Sequence, residues 1–197
     1  SGDFAWRDRR TASDVAGKSA LIMGFGRIGQ RVGALCRALG LRVAAFDPYM
    51  ERSPVEGVEM VKDFRAILPE TDFLCLHLPS TPETRDLIGA GELALLKRGA
   101  FVLNCARGGI VDEDVLCDAL ESGHLGGAGL DVFAKEPPDT AHRLFRQEKV
   151  LLSPHNAALT EECAIRMATQ AVQNVLDCLD GKLQPRVVMN RREIGMA

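Results

Sequence analysis

Hydrophobic residues along this chain occur in short runs that alternate with amphipathic stretches of helical spacing. The runs predict β-strands at 19–23, 41–46, 58–61, 71–78 and 100–104, at a stretch ending with 129–132, and at 150–152. The run at 71–78 is nearly continuous, which is typical of a parallel strand buried on both faces. Strands that alternate with helices in this rhythm indicate an α/β fold, a doubly wound parallel sheet in a single domain.

The first predicted helix follows the first strand directly. Its apolar residues recur at i, i+4, i+7, i+8 and i+11, the pattern of a helix that packs one face on a core. These residues are Ile28, Val32, Leu35, Cys36 and Leu39. Gly40 follows where a left-handed cap residue is favoured. Short helices are predicted at 63–68, before Pro69, and around 91–97, and a helix capped by Asp112 runs to about Glu121.

A long helix closes the predicted domain. Thr160 is its expected N-cap, Glu161 and Glu162 favour the helix dipole from the first turn, and Gly181 ends it. The face that we expect this helix to bury consists of Ile165, Ala168, Val172, Val175, Leu176 and Leu179.

Three glycines separate the first strand from the first helix. The stretch Gly24-Phe25-Gly26-Arg27-Ile28-Gly29 has the spacing G-x-G-x-x-G. In a strand–turn–helix unit, Gly24 permits the tight turn, Gly26 lets the backbone approach a pyrophosphate, and Gly29 allows close packing of helix and strand. The helix N-terminus offers unpaired N–H groups and a partial positive charge. The stretch therefore predicts a dinucleotide site on a Rossmann-type sheet.

Asp47 ends the second predicted strand, 18 residues after Gly29. An acidic residue about 20 residues beyond the glycines binds the hydroxyls of the adenosine ribose. A carboxylate there also repels a 2′-phosphate, so Asp47 favours NAD and disfavours NADP. Alternatively, Asp47 is a turn residue before Pro48.

Composition narrows the choice of partners. With 197 residues, 46% hydrophobic and 26% charged, the chain resembles a soluble globular domain. A net charge of −3 offers no basic face for nucleic acid. No apolar run reaches the ~18 residues of a membrane span, and the N-terminus lacks a secretory signal pattern. We predict a cytoplasmic protein with neither nucleic acid nor membrane as its partner.

Six cysteines are scattered without a C-x-x-C pair. Free thiols in apolar strands or on helix faces behave as small hydrophobes, so we predict neither disulfides nor a metal site. Cys105 is expected to offer its backbone to a ligand rather than its thiol.

Ligands of doubly wound sheets bind at the carboxyl ends of the strands. Besides the glycines and Asp47, the residues that follow predicted strands are His77-Leu78-Pro79, residues 104–109, Asp131, Glu136 and residues 153–157. The ionisable groups that these segments are expected to bring to one crevice are Arg107, Asp131, Glu136 and His155.

Such a set suits hydride transfer on an α-keto or α-hydroxy acid. Arg107 can hold the substrate carboxylate and polarise the carbonyl. His155 can give a proton to the carbonyl oxygen or take it back, Glu136 can orient the imidazole, and Asp131 can accept a hydrogen bond from the nicotinamide carboxamide. Each residue also has a purely structural alternative: a solvated loop arginine, a cap, a surface glutamate and a turn histidine.

These segments resemble the NAD-dependent D-2-hydroxyacid dehydrogenases. The matching motifs are the glycine stretch 24–29, Asn104-Cys105-Ala106-Arg107-Gly108-Gly109 with residues 110–113, Gly129-Leu130-Asp131-Val132-Phe133 with Glu136-Pro137, and Ser153-Pro154-His155. The resemblance spans about 18–181. It implies that Arg107, Glu136 and His155 are the catalytic residues. The cofactor contacts that follow are Arg27, Ile28, Asp47, Leu78, Pro79, Cys105, Ala106, Arg107, Asp131, His155, Ala157 and Ala158.

The family also carries a separate substrate domain, formed mostly by sequence before the cofactor domain. Here 17 residues precede Lys18, so we expect 1–17 to be a lead-in, 18–181 the NAD-binding domain, and 182–197 a tail that returns to an absent substrate domain. Such a portion is expected to bind NAD(H) with little turnover and to form a homodimer through the cofactor domain, near residues 112–126 and 143–150.

An alternative function belongs to another class. The co-repressor relatives of the family sense NAD(H) and recruit a partner, and they place a tryptophan shortly after the histidine. This chain reads Asn156-Ala157-Ala158-Leu159 there, which favours the enzyme. A third interpretation, the dinucleotide domain of an unrelated dehydrogenase, leaves Arg107, Glu136 and His155 unexplained.

Overall fold

The computed structural model describes residues 12–191 and 193–195. The first eleven residues of the predicted lead-in lie outside this range. Within it, seven strands form one parallel sheet. They are β1 (Ser19–Met23), β2 (Arg42–Phe46), β3 (Val58–Met60), β4 (Phe73–Leu76), β5 (Phe101–Asn104), β6 (Gly127–Leu130) and β7 (Val150–Leu152).

The strand order is β3-β2-β1-β4-β5-β6-β7. The chain builds outward from β1 to β3, returns to place β4 on the other side of β1, and continues outward to β7. Met23, the last residue of β1, pairs with Phe46 of β2 and with Leu76 of β4. The order therefore reverses beside the glycine turn, where a ligand crevice forms in such sheets. The predicted doubly wound, Rossmann-type fold is confirmed.

The helices of residues 12–155 cover both faces of this sheet, and the last α-helix and the last 3₁₀ helix belong to the segment after His155. The helices are α1 (Arg27–Ala38), α2 (Ala90–Leu95), α3 (Glu113–Glu121) and α4 (Glu161–Leu179), with 3₁₀ helices at Arg65–Glu70, Arg143–Arg146 and Pro185–Val187. Along β1, Leu21 and Met23 enter the larger apolar cluster, whereas Ala20 and Ile22 enter the smaller one. Full burial of a Leu or Ile side chain stabilises the fold by about 2 kcal/mol. The strand that ends in the glycine turn is therefore firmly held.

Element boundaries depart from the prediction in places. The run at 71–78 contains a strand of only four residues, because Thr71 ends a 3₁₀ turn and the chain leaves the sheet at His77. The short helix predicted to stop before Pro69 is a 3₁₀ helix that includes this proline. The cap at Asp112 is confirmed, since its carboxylate accepts hydrogen bonds from Asp114 N–H and Val115 N–H.

The predicted apolar face of α1 is only partly buried, with Val32 and Cys36 packed against the smaller apolar cluster. Ile28, Leu35 and Leu39 are exposed, and the buried positions are Gly29 and Gly33. A Cβ on Gly29 would lie 2.1 Å from the Gly24 carbonyl oxygen. The helix thus approaches the strand more closely than branched side chains allow, and its glycine side faces the sheet.

The contact pattern divides the chain after His155 into two compact units. The second unit contains α4, and Thr160 caps this helix by accepting a hydrogen bond from Cys163 N–H, as predicted. The predicted burial of its apolar face was wrong, because Ile165, Val172 and the other large apolar residues of that face are exposed. The rest of the described unit is one 3₁₀ turn and irregular backbone, which is too little chain to cover a helix of 19 residues.

No helix among residues 12–191 and 193–195 combines the length and the apolarity needed to cross a membrane.

Candidate active site

The glycine turn after β1 has the geometry that its spacing predicts. Gly24 adopts φ +85°, and a Cβ there would lie 2.6 Å from the His77 carbonyl oxygen. Gly29 is equally constrained by the Gly24 carbonyl. Gly26 is not crowded in this way, because a Cβ added there would have no heavy atom within 4 Å. The backbone at Gly26 therefore faces open space, as a backbone that receives a phosphate group must.

Helix α1 begins at this turn without a capping side chain from the described residues. Gly26 is its N-cap, and the first turn contains no acidic residue. At α3, by contrast, Asp112 caps the helix and two acidic residues follow. The first N–H groups of α1 are thus the ones left for an external anion, with the exposed Arg27 beside them. Gln30 Nε2 steadies the turn by donating to the Phe25 carbonyl at 2.9 Å.

Asp47 lies at the end of β2, next to the glycine turn. Its Oδ2 accepts a hydrogen bond from Phe25 N–H at 2.9 Å, and its Oδ1 accepts one from Tyr49 N–H at 2.9 Å. A carboxylate has about four acceptor positions, so two remain for ribose hydroxyls. The contact with Phe25 could not be read from the spacing of the motif, because it depends on how β2 pairs with β1.

The carboxyl end of β4 supplies His77, Leu78 and Pro79. His77 N–H donates to the Met23 carbonyl at 2.7 Å, which brings this end beside the glycine turn. Burial lowers the pKa of His77, so its imidazole is neutral at pH 7. Leu78 is buried and Pro79 is exposed. The segment offers an apolar surface rather than a charge.

Beyond β5, the buried Asn104 fixes the turn that carries Arg107. Its Oδ1 accepts from Ala106 N–H at 3.1 Å, and its Nδ2 donates to the Arg107 carbonyl at 3.0 Å. The guanidinium of Arg107 is exposed and donates to the Ala106 carbonyl. Burial, followed by the charge of Asp131, raises the pKa of Cys105, so its thiol stays protonated at neutral pH. Sequence reasoning did not assign this clamping role to Asn104, although a buried amide directly after an apolar strand is a usable signal.

Asp131 follows β6 and is almost fully buried. Ser153, which follows the neighbouring β7, donates its hydroxyl hydrogen bond to Asp131 Oδ1 at 2.6 Å. The link between the two strand ends places Asp131 one strand away from the Arg107 turn and one strand away from the segment that carries His155.

His155 and Glu136 form a hydrogen-bonded pair. Imidazole Nδ1 lies 2.8 Å from Glu136 Oε2, and Glu136 Oε1 accepts from Phe133 N–H at 3.1 Å. The hydrogen bond with His155, followed by that with Phe133, lowers the pKa of Glu136. An ionised carboxylate can only accept hydrogen bonds, so Nδ1 carries the proton. Nε2 is then the ring nitrogen that Glu136 does not contact.

The backbone of His155 is strained. Its φ is +53°, a value that non-glycine residues seldom adopt, and its N–H donates to the Ser153 carbonyl at 3.0 Å. Strain of this kind persists only where the surrounding structure enforces it, and it is common at functional sites. The imidazole is thereby directed toward the Glu136 loop.

An apolar cavity of about 300 Å³ adjoins the pair. Its apolar lining consists of Phe133, Pro137, Pro138, Phe145, Leu152 and Pro154. The Phe133 and Phe145 rings stack with centroids 6.0 Å apart. On the other side the pair faces solvent, since the side chains of His155 and Glu136 are 48% and 38% exposed. The His155–Glu136 pair therefore has apolar residues on one side and solvent on the other.

The remaining predicted contacts are Ile28, Ala157 and Ala158. Ile28 is exposed at the start of α1. Ala157 and Ala158 belong to the second unit and are exposed in the segment before α4. Their proposed contacts with the cofactor stay predictions.

Comparison with known proteins gives a consistent result. The family described as "D-isomer specific 2-hydroxyacid dehydrogenase, NAD binding domain" matches residues 1–157. The D-3-phosphoglycerate dehydrogenase of Methanocaldococcus jannaschii is 39% identical over 92% of this chain and 35% of its own length. That of Mycobacterium leprae is 42% identical over 92% of this chain and 34% of its own length.

Solved structures agree with this result. The NAD-complexed D-isomer specific 2-hydroxyacid dehydrogenase of Lactobacillus delbrueckii ssp. bulgaricus superposes with a TM-score of 0.83 at 29% identity. The match covers 95% of this chain and 61% of that one. The chain thus spans about a third of the length of the curated relatives it matches.

Proposed function

Because this chain belongs to the D-isomer specific 2-hydroxyacid dehydrogenases, we propose that it is the NAD(H)-binding portion of an oxidoreductase that interconverts D-2-hydroxy acids and 2-keto acids. NAD is the cofactor of this family domain. The observation that carries the proposal is the His155–Glu136 pair, whose nitrogen and oxygen lie 2.8 Å apart at the carboxyl edge of the sheet.

The glycine turn fits the pyrophosphate of NAD. Its open space at Gly26 and the uncapped N-terminus of α1 provide room and N–H donors. Arg27 adds a positive charge, and Asp47 has acceptor positions left for the ribose hydroxyls. Asp131 would accept a hydrogen bond from the carboxamide, with the backbone of Cys105 and Ala106 beside it.

When bound, NAD accepts or supplies the hydride. Arg107 would bind the substrate carboxylate with its fork of N–H donors and polarise the carbonyl. His155 Nε2 would give a proton to the carbonyl oxygen during reduction and take one from the hydroxyl during oxidation. Glu136 holds the imidazole in the Nδ1–H form and stabilises the positive charge that develops when Nε2 is protonated.

We expect the isolated chain to bind NAD(H) with little turnover. The half-exposed His155–Glu136 pair is the structural support for this expectation. Hydride transfer needs oriented reactants and a site from which water is excluded, and these effects together supply several kcal/mol of the barrier reduction. An open site loses much of that contribution.

We also propose that the chain forms a homodimer through this domain. The two regions predicted to form the interface are joined on one surface, because Arg143 donates to Asp118 at 2.7 Å and to Glu121 at 2.8 Å. Light scattering at high protein concentration tests the proposal. A dimeric mass is expected, and a monomeric mass would contradict it. The cytoplasmic location stays a prediction.

The test of the proposed function compares cofactor binding with turnover. We expect saturable NADH binding by fluorescence that persists in His155→Asn, and pyruvate or hydroxypyruvate reduction that is weak in the parent and lost in this variant. A turnover that survives His155→Asn would contradict the catalytic assignment.

A further inference from the structure

The loop that carries Glu136 is attached to the rest of the fold by a second carboxylate. Glu113, the first residue of α3, accepts a hydrogen bond from Ala134 N–H through Oε1 at 2.6 Å. The two residues are 21 positions apart in sequence. The contact therefore fastens the loop after β6 to a separate helix.

The neighbouring N–H group of the same loop bonds to Glu136 itself. Phe133 N–H donates to Glu136 Oε1, while Glu136 Oε2 faces the imidazole of His155. Two consecutive N–H groups of the loop thus donate to two different carboxylates, that of Glu136 in the proposed site and that of Glu113 on α3. Moving Ala134 would move Phe133, and with it the donor that orients the Glu136 carboxylate.

The loop also borders the turn after β5. A Cβ on Gly108 would lie 1.7 Å from the Phe133 carbonyl oxygen, so the turn after β5 touches the loop backbone directly. Helix α3 is anchored by the buried side chains of Leu116, Cys117 and Leu120. Asp112 accepts hydrogen bonds from Asp114 N–H and Val115 N–H at the start of this helix, whereas the Glu113 carboxylate accepts one from the loop.

We propose that Glu113 is a positioning residue for His155: its bond to Ala134 fixes the loop from which Glu136 selects the Nδ1–H tautomer of the imidazole. Glu113 acts through Glu136 and touches neither substrate nor cofactor. The inference rests on the proposed function only for the role of His155 in proton transfer. The positioning itself is a structural relationship that can be measured without turnover.

The readout is the tautomer of His155, observed by long-range ¹H–¹⁵N NMR at about pH 8.5, where an ordinary imidazole is neutral. Free imidazole side chains favour the Nε2–H form. In the parent protein we expect the Nδ1–H form to dominate. In Glu113→Ala the ratio of Nδ1–H to Nε2–H should fall at least about fivefold, the factor that corresponds to roughly one net hydrogen bond. Glu136→Ala removes the carboxylate that contacts His155, so its tautomer ratio gives the lower limit for this comparison.

Two further variants separate positioning from general effects of charge or folding. Glu113→Gln keeps an oxygen acceptor for Ala134 N–H and should retain the parent ratio. Glu113→Asp keeps the charge at the helix start but is one methylene shorter, so it should shift the ratio as Glu113→Ala does, even if the alanine variant fails to fold.

Asp114→Ala is the matched control. It removes a carboxylate from the same first turn, where Asp114 contacts His142 Nε2 at 3.5 Å instead of the loop. The His142 signal should change and the His155 ratio should not. Parent-like tautomer ratios in folded Glu113→Ala and Glu113→Asp would overturn the proposal, as would an equal shift in Asp114→Ala.

An NADH titration of the same variants keeps this inference separate from the proposed function. Glu113→Ala should bind NADH within about twofold of the parent, because the glycine turn lies on a different part of the sheet edge. If the parent protein binds no NADH but Glu113→Ala still shifts the His155 tautomer ratio, the positioning role stands and the proposed function is contradicted. If the parent binds NADH but Glu113→Ala shows no tautomer shift, the positioning role is contradicted and the proposed function stands.

Discussion

The Asp47 carboxylate accepts a hydrogen bond from the backbone N–H of Phe25 at 2.9 Å, linking the end of β2 to the middle of the glycine turn. The residue proposed to bind the ribose hydroxyls therefore also holds the turn proposed to bind the phosphates. A loss of NADH affinity after substitution of Asp47 would combine both effects. Stability measurements can separate them.

We predict that Asp47→Ala lowers the free energy of unfolding by about 1–2 kcal/mol, because it leaves Phe25 N–H without its charged acceptor. Asp47→Asn retains an oxygen for this bond and should lose less. Asp63→Ala is the matched control, since Asp63 accepts from Arg65 N–H two residues ahead, the same local bond that Asp47 makes with Tyr49 N–H. Urea denaturation measures the three values. Equal losses in Asp47→Ala and Asp63→Ala would show that the Phe25 contact contributes nothing.

The glycines of the turn should respond differently to alanine. Gly26→Ala should fold like the parent, because its Cβ enters open space, yet bind NADH at least about tenfold more weakly, because that space is where we place the phosphates. Gly29→Ala should be destabilised by several kcal/mol, since its Cβ would lie 2.1 Å from a backbone carbonyl oxygen. Circular dichroism and NADH titration test both. A Gly26→Ala protein with parent-like affinity would remove the phosphates from this position.

Stability should fall in acid partly through Asp72. Burial raises the pKa of this carboxyl, but hydrogen bonds from Lys97 and from Ser19 N–H and Oγ–H outweigh it and lower the pKa overall. Lys97 Nζ lies 2.7 Å from Asp72 Oδ1. A lowered folded-state pKa stabilises the fold above the ordinary pKa of Asp, and the contribution is lost as pH falls through the folded value.

Asp72→Asn should therefore lower the free energy of unfolding by about 1–3 kcal/mol at pH 7, and the difference from the parent should shrink as pH falls below about 4. Urea midpoints at several pH values measure this trend. The exposed Glu56→Gln serves as the control and should show no comparable difference at pH 7. A difference for Asp72→Asn that is constant down to pH 3 would contradict the assignment.

The hydrogen bond between His155 and Glu136 leads to a prediction for the pKa of Glu136. In His155→Ala the pKa of Glu136 should rise toward its ordinary value, because the largest cause of its lowering is removed. It should remain somewhat low, since Phe133 N–H still donates to Oε1. Carboxyl ¹³C NMR follows the titration directly. An unchanged Glu136 pKa in this variant would mean that the two side chains do not interact in solution.

Much of the fold could be predicted from the sequence because its signals are local. Short apolar runs predicted the seven strands of the described residues within a few positions, and Asp112, Thr160 and Gly40 were recognisable as caps from their residue types alone. The faces of the helices could not be predicted in the same way. On α1, two small glycines pack on the sheet while larger apolar residues remain exposed, which a pattern that counts only apolar side chains misses.

The candidate site likewise contains residues that the sequence could predict and residues that it could not. Arg107, Asp131, Glu136 and His155 follow strands, so sheet topology alone brings them to one edge. The residues that hold them, such as Asn104, Ser153 and Glu113, act through hydrogen bonds to loop backbone or to a neighbouring strand end. Such bonds depend on loop conformations that a single sequence does not specify.

The central claim is that this chain binds NAD(H) at the glycine turn, with Asp47 at the ribose. A fluorescence titration with NADH and NADPH, on the parent chain and on Asp47→Asn, tests it most directly. We predict saturable NADH binding and weaker NADPH binding in the parent, and in Asp47→Asn weaker NADH binding with a smaller preference over NADPH. No binding of either nucleotide, or equal affinities in the parent that Asp47→Asn leaves unchanged, would contradict the account.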